Sequence, residues 1–363
     1  MIKILIVNTV PTDKNGITNV IFNYLMATDR GACRMDLCSL NKPDSLYVNI
    51  VEERGGNIYS LQRNYRHLLS YWNGLRKLIV DNRYDIIHVH GNSHTVVLEL
   101  SVAWAARCVV GVVHAHNTTC KYVVMHKLLT PIFNALCKYR LACGEAAGRF
   151  MFGNKPFKVM NNGVDTAQFG FDKEKRDKIR QELGLDGCKV LGHVGYFTKV
   201  KNQKFIVDIL KELLDKDASY RLLLIGDGPM KKEVEVQSMQ LRIRDKIFFT
   251  GNINNVHEYL NAIDVIVMPS LFEGLPLTLI EQQANGLPCV VADTITREAD
   301  KTGLLTFIPL SAPVMKWAEA VKGINRADRA ERSKDAIKSI TEAGYNIHEQ
   351  ADKLVNFYQS TLK

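Results

Sequence analysis

Residues 270–291, SLFEGLPLTLIEQQANGLPCVV, set Glu273 and Glu281 eight positions apart around a Gly-Leu-Pro. The apolar IDVIVMPS before them reads as a buried strand. Pro276 suits the first position of a helix, where its missing N–H costs nothing. Gly286 ends that helix, Pro288 follows, and PCVV starts another buried strand. Glu273 is therefore expected in a strand-to-helix loop, and Glu281 about one and a half turns into the helix. The first turn of a helix carries backbone N–H groups that attract anions. Carboxylates flanking such a turn accept hydrogen bonds from hydroxyls. Together the two features suit phosphate between sugars, whereas a glutamate pair in an arbitrary helix start is ordinary solvated surface.

The elements that must hold such a site belong to a chain of 363 residues, long enough for two cores. Its 46% hydrophobic and 23% charged residues exclude a disordered chain. No apolar run approaches the ~20 residues that span a bilayer, and IKILIVN at the start reads as a strand rather than a signal peptide. Eight cysteines are scattered without a CxxC pair, as in a protein of the reducing cytoplasm. The net charge of +9 is uneven, with residues 1–170 carrying 19 Lys+Arg against 11 Asp+Glu. Between Thr118 and Met160 seven basic residues (Lys121, Lys127, Lys138, Arg140, Arg149, Lys155, Lys158) face Glu145 alone. Interleaved with YVVMHKLLTPIFNAL, they fit either a surface for anionic lipid headgroups or a core helix with a solvated basic face. No nucleic-acid motif accompanies the charge.

Both halves alternate apolar runs with amphipathic stretches, the pattern of parallel α/β sheets. Strands are expected at IKILIVN, RMDLCSL, NIYSL, YDIIHVH, VVGVVHAH, RLACG and FKVMNNG in the first half. CKVLGHVGYF, YRLLLIGDG, KIFFTGN, DVIVMPS and PCVVAD follow in the second. Asn202 is a candidate N-cap for the helix NQKFIVDILKELLDK. The turn-rich NNGVDTAQFGFD marks the boundary, giving domains at 1–165 and 166–345, with a terminal helical segment at 346–363. Ligands of open α/β sheets bind beyond the carboxyl ends of the strands. Those ends are polar here: Gly16 after the first strand, His88 and His90, His114 and His116, and in the second half GYFTKVKN, GDGP and GNINN. Two such crests facing each other would form a cleft. The two His-x-His pairs raise the question of a metal, since alternate strand residues share a face. No cysteine or acidic ligand accompanies them in sequence, so the reading is no metal.

The series GHVGYFTKVKNQ, LLLIGDGP, FTGNINNVHEYLNAIDVIVMPSLFEGLPLTLIEQQANGLPCVVADT and VMNNGVD resembles the retaining glycosyltransferases of family 4. Within it the chain is most similar to members that build bacterial capsular and extracellular polysaccharides. The resemblance spans nearly the whole chain, and Glu, seven residues, Glu is the family's hallmark. It implies the α/β GT-B fold: two Rossmann-like parallel-sheet domains facing across a cleft. The first domain binds acceptor, the second nucleotide-sugar, and the last helix crosses back to the first. It also implies roles. Glu281 accepts hydrogen bonds from ribose hydroxyls, and Glu273 lies by the transferred sugar. The backbone of Gly274, Leu275, Pro276 and Leu277 leads into amides facing sugar and phosphate. Lys201 neutralises the leaving diphosphate. Gly16 lets backbone approach the phosphates, and His116 sits near the reacting sugar. Gly226, Asn252 and Ile253, at the ends of two further strands, belong to the donor-binding set.

The chain departs from its family at Tyr196, where members usually carry an arginine after the glycine of "VG" that grips the diphosphate. A tyrosine donates a hydrogen bond but brings no charge, so the grip falls more heavily on Lys201, with Lys199 or Lys204 nearby. The resulting expectation is a cytoplasmic-face, retaining glycosyltransferase that uses neither metal nor cofactor. It moves a sugar from a nucleoside diphosphate, UDP by preference, to a growing lipid-linked oligosaccharide. A metal-using transferase of the other fold needs an Asp-x-Asp at a strand end, and Asp215-Lys216-Asp217 lies in a polar turn instead. Two other classes stay open: a binding subunit that has lost its catalytic grip at Tyr196, and a GT-B sugar-nucleotide epimerase.

Overall fold

The computed structural model describes residues 1–13, 15–63, 67–107, 110–325 and 328–363. The chain divides into two compact units, one of Met1–Gly163 with Asn346–Lys363 and one of Val164–Tyr345. Each is built on one parallel sheet. The first contains β1 (Ile2–Asn8), β2 (Cys33–Ser39), β3 (Ile58–Ser60), β4 (Ile86–Gly91), β5 (Val110–Ala115), β6 (Tyr139–Ala142) and β7 (Lys158–Val159). Its spatial order is β3-β2-β1-β4-β5-β6-β7. The second contains β8 (Lys189–Val194), β9 (Tyr220–Ile225), β10 (Ile247–Gly251), β11 (Val265–Met268), β12 (Cys289–Ala292) and β13 (Leu305–Ile308), in the order β10-β9-β8-β11-β12-β13. The central strands read as near-continuous apolar runs because helices cover both faces of a parallel sheet. Ile4, Leu5, Val7, Leu222, Leu223, Leu224, Ile266 and Val267 are fully buried accordingly.

Strand order reverses between β1 and β4 in the first sheet, and between β8 and β11 in the second. Loops leaving the carboxyl ends of two such neighbours go to opposite faces and open a crevice between them. Both glutamate-bearing and lysine-bearing loops of the second unit leave its reversal point. Three arginines fix the entry to β11. Arg176 Nη2 lies 2.5 Å from Asp264 Oδ1, and Arg180 donates to Ala262 O at 2.9 Å. Buried Arg329 donates to Leu260 O at 2.8 Å, Asn261 O at 3.0 Å and Ile263 O at 2.5 Å, and also to Asn285 O and Oδ1. Asn285 caps the C-terminus of the helix Leu277–Ala284. One side chain thus ties the start of β11 to the end of that helix, so the loop between them is held at both ends. Each bond to a charged donor contributes about 1.5–3 kcal/mol, and a truncated Arg329 leaves several buried carbonyls unsatisfied.

The last helix, Ile347–Thr361, packs within the first unit. Asn346 Oδ1 caps it by accepting from the N–H of His348 and of Glu349. Tyr358 OH meets buried His88 Nδ1 at 2.6 Å, and Tyr139 OH donates to Thr361 O. Gly163 allows this approach, because a Cβ there would stand 2.6 Å from Ile347 Cα. No helix among the described residues is long and apolar enough to cross a membrane.

Three local readings need correcting. Pro276 is the N-cap, extended at φ −75° and ψ 109°, and the helix starts one residue later at Leu277. Asn202 does precede the helix Gln203–Leu214, but in the left-handed region at φ 56°. Its side chain caps nothing there and donates instead to Pro269 O at 3.2 Å. The final strand, β13, has no counterpart among the expected runs; it is four residues long and pairs on one side only, with β12.

Candidate functional site

Lys201 and Glu273, 72 residues apart in sequence, meet in the second unit: Lys201 Nζ lies 2.6 Å from Glu273 Oε1. The pair is mostly shielded, the side chains being 21% and 13% exposed. Two backbone-level ties hold their loops together at the β8–β11 reversal. Leu271 N–H donates to Val200 O at 2.7 Å, and Asn202 Nδ2 reaches Pro269 O. Beyond Glu273 the backbone runs through Gly274, Leu275 and Pro276 into the helix Leu277–Ala284. Gly274 is exposed, Leu275 and Leu277 are half-buried and Pro276 is buried. Among the described residues no acceptor is recorded for the N–H groups of Glu273, Gly274, Leu275, Leu277 or Thr278. Those donors form a positive, anion-compatible end.

Glu281 lies farther along the same helix. It is half-buried, and its carboxyl makes no hydrogen bond or ion pair among the described residues. Burial pushes its pKa up to about 7. A carboxyl held in a poorly solvated place without a protein partner is suited to accepting hydrogen bonds from ligand hydroxyls. Buried Ser270 Oγ and Thr278 Oγ1 also lack hydrogen-bond partners among the described residues. Neither was singled out from the sequence, although both directly flank the motif.

Tyr196 is 60% exposed and sits on the turn after β8. Gln203 donates to its carbonyl at 3.2 Å and lies 3.4 Å from Nε2 of buried His193, whose Nδ1 faces Val267 O at 2.9 Å. Burial lowers the His193 pKa to about 4, so the ring is a neutral strut beneath the turn. No spacing rule points to Gln203 or His193, because each is defined by contacts across the sheet. Gly226 ends β9 at φ 133°, and a Cβ there would fall 2.2 Å from Gly195 O. The GDG segment is thus pressed onto the Tyr196 turn, and Phe197 N–H donates to Asp227 O at 2.8 Å. Asn252 and Ile253 follow β10, the first exposed and the second half-buried against the core. Lys199 is exposed, and Lys204 is 3.9 Å from Glu233. Asp215 and Asp217 pair with Lys211 and Lys189, so that triplet is engaged in surface ion pairs.

In the first unit, Gly16 is the exposed first residue of the helix Gly16–Ala27, and Asn15 caps that helix through Thr18 N–H. A Cβ at Gly16 would meet nothing within 4 Å, so the protein's own packing does not require glycine there. His116 follows β5, half-buried, with Nε2 2.8 Å from His90 Nδ1 and its backbone N–H donating to Asn92 Oδ1. Burial lowers its pKa to about 3, so it acts as a neutral imidazole.

Two reversed parallel sheets with a lysine–glutamate pair and an N-terminal helix turn at one reversal define a class. The crystal structure of Anabaena HepE in complex with UDP superimposes with a TM-score of 0.79, covering 99% of this chain and 100% of that one at 17% identity. The architecture is the GT-B fold, two Rossmann-like units. The family model described as Glycosyl transferases group 1 matches residues 175–300, and that described as Glycosyltransferase Family 4 matches residues 14–168. The glycosyltransferase-family protein EpsF of Bacillus subtilis is 30% identical over 95% of this chain and 94% of its own. An Escherichia coli protein named as UDP-Gal:alpha-D-GlcNAc-diphosphoundecaprenol alpha-1,3-galactosyltransferase is 29% identical over 64% of this chain and 63% of its own. The chain belongs to the glycosyltransferase family that these models describe, and it is a glycosyltransferase.

The Glu281 pKa has a measurable consequence. In the folded state the carboxyl keeps its proton up to about pH 7, whereas its ordinary value is 4.5. Between those values the unfolded chain releases a proton that the folded chain retains, so folding stability falls as pH rises through the window. Urea unfolding of wild type and Glu281→Gln at pH 4.5 and pH 7.5 should show the wild type losing stability relative to the variant. Parallel behaviour of the two proteins would mean that Glu281 is solvated.

Proposed function

We propose that the chain transfers a sugar, with retention of anomeric configuration and without a metal ion, from a UDP-sugar to a lipid-linked oligosaccharide in polysaccharide assembly. The observation that carries this reading is the Lys201–Glu273 pair at the mouth of a helix whose Glu281 has no protein partner. In the reading, Glu281 accepts hydrogen bonds from the ribose hydroxyls. The free amides of Glu273, Gly274, Leu275, Leu277 and Thr278 and the Lys201 ammonium take the diphosphate, with Tyr196, Gly226, Asn252 and Ile253 shaping the rest of the donor pocket. The bond from the anomeric carbon to the diphosphate oxygen breaks and the diphosphate leaves with the electron pair. The acceptor hydroxyl oxygen bonds to the anomeric carbon on the same face, and its proton passes to the leaving group. Charge grows on the diphosphate as this happens, and Lys201 stabilises it where it develops. Glu273 offsets positive charge on the sugar. The UDP bound to HepE and the donor and acceptor in the E. coli relative's name support the choice of UDP and of a lipid-linked acceptor.

Turnover separates this reading from a binding subunit. Release of UDP from UDP-sugars should be readily measured for the wild type with undecaprenyl-diphosphate-linked acceptor. Lys201→Ala should lower it by roughly 10²–10³-fold, while Tyr196→Arg brings no gain, because the neighbouring lysines already supply the charge. An inactive wild type rescued by Tyr196→Arg would instead mark a lost grip, and conversion of donor without acceptor would mark an epimerase.

The acceptor's lipid gives a role to the helices Val123–Leu128 and Thr130–Leu136. Val124 (74% exposed), Leu128 (68%) and Ile132 (50%) are exposed, and Lys121, Lys127 and Lys138, exposed too, lie within or beside the same helices in sequence. Beneath, buried His126 stacks on His94 at 3.7 Å and anchors the pair. A merely solvated basic face has no reason to expose these apolar side chains together. Lysines around an apolar tip suit an anionic bilayer, with the apolar residues entering the headgroup region. Reversing Lys121, Lys127 and Lys138 to glutamate should abolish sedimentation with phosphatidylglycerol vesicles, and salt should weaken the wild-type binding. Equal binding of both proteins would remove the membrane from the account.

A further inference from the structure

We infer that His88, His90 and His114 form a site for one divalent first-row transition-metal ion of the zinc class. Strands β4 and β5 run side by side with His90 opposite His114, so all three rings project from one face of the sheet. The side chains are buried, with exposures of 1%, 3% and 1%. One ring nitrogen from each lies within 4.8 Å of the other two. Around a zinc ion with bonds of 2.0–2.1 Å, such nitrogens stand roughly 3.3–3.5 Å apart, so ring rotations that shorten the separations by up to about 1.5 Å complete the site. The centroid separations of 5.2 Å for His90–His114 and 5.4 Å for His88–His114 are already short.

The hydrogen-bond inventory points the same way. Among the described residues, His88 Nε2 and both nitrogens of His114 are buried without a hydrogen-bond partner. Buried polar atoms are ordinarily satisfied, and an imidazole with two idle nitrogens in a sheet core is unusual. Burial keeps these rings neutral, the form that ligates. The remaining nitrogens are used as metal-bound histidines use theirs. His88 Nδ1 is 2.6 Å from Tyr358 OH on the last helix, and His90 Nδ1 is 2.8 Å from His116 Nε2. A proton on each Nδ1 leaves the Nε2 lone pair for the ion and sets the tautomer of His116. Absence of a cysteine or carboxylate, which argued against a metal on sequence alone, does not exclude a three-histidine site with a fourth position for water. The ion would tie β4, β5 and the last helix together. The inference rests on the first unit's geometry, so its failure leaves the proposed transfer reaction untouched.

The test uses the untagged full chain, stripped with chelator and dialysed against Zn²⁺ or Co²⁺. Elemental analysis should find about one ion per chain, and the Co²⁺ form should show the visible ligand-field bands of a low-coordinate site. His114→Gln and His88→Gln should lose the ion, and Tyr358→Phe should weaken it roughly 10- to 100-fold. His67→Gln, at an exposed histidine, should retain it. Circular dichroism checks that the variants fold. A wild type that retains no ion overturns the inference, and so does an ion whose retention is unchanged in His114→Gln.

Discussion

The candidate site depends on one ion pair. Lys201 leaves the β8 strand and Glu273 leaves β11, and these adjacent strands are the ones whose loops the topology sends to opposite faces. The pair adds a charged contact to the two ties, Leu271 N–H to Val200 O and Asn202 Nδ2 to Pro269 O, that keep these loops from splaying. The pair is shielded enough to matter, and removing either partner alone would strand the other charge. In the free protein each charge answers the other. In the proposed reaction the same lysine turns to the entering diphosphate while the carboxylate remains beside the site, so no new charge has to be brought from solvent.

The remainder of the second unit holds those two loops still. Arg329 joins the start of β11 to the end of the helix Leu277–Ala284, and Gln203 with His193 supports the Tyr196 turn from below. The result is a rigid frame around a few deliberately unsatisfied groups: the helix-start amides, the Glu281 carboxyl, Ser270 Oγ and Thr278 Oγ1. Preorganised donors of this kind stabilise developing charge without reorganising during reaction. The first unit has its own concentration of unsatisfied groups, the histidines at the carboxyl ends of β4 and β5.

Much of this architecture was legible in the sequence, for a physical reason. Central strands buried on both faces must be apolar throughout, so they announce themselves as runs such as IKILIVN and YRLLLIGDG, and the short, exposed or half-buried edge strands Ile58–Ser60 and Lys158–Val159 also fall within expected runs. The strand at Leu305–Ile308 did not, because it is short, closes the edge of its sheet and leaves Thr306 exposed. Caps were read by residue type and failed in detail at Pro276 and Asn202, where tertiary contacts decided the backbone. Site residues carried by one continuous motif, Glu273 and Glu281, were visible from spacing and resemblance. Partners drawn from distant segments were not: the 72-residue step from Lys201 to Glu273, the reach of Arg329, and the meeting of His88 with Tyr358 exist only once the sheets have formed.

The central claim is that the helix Leu277–Ala284, entered from the Glu273 loop and carrying Glu281, holds a nucleoside diphosphate. Calorimetric titration of UDP into the wild type and Glu281→Ala addresses it directly. At about pH 8, above the Glu281 pKa of about 7 so that the carboxyl is ionised, the account predicts one UDP per chain for the wild type, and affinity at least about tenfold weaker in the variant, from loss of a charged acceptor worth roughly 1.5–3 kcal/mol. A wild type that does not bind UDP, or a variant that binds it equally well, would contradict the account.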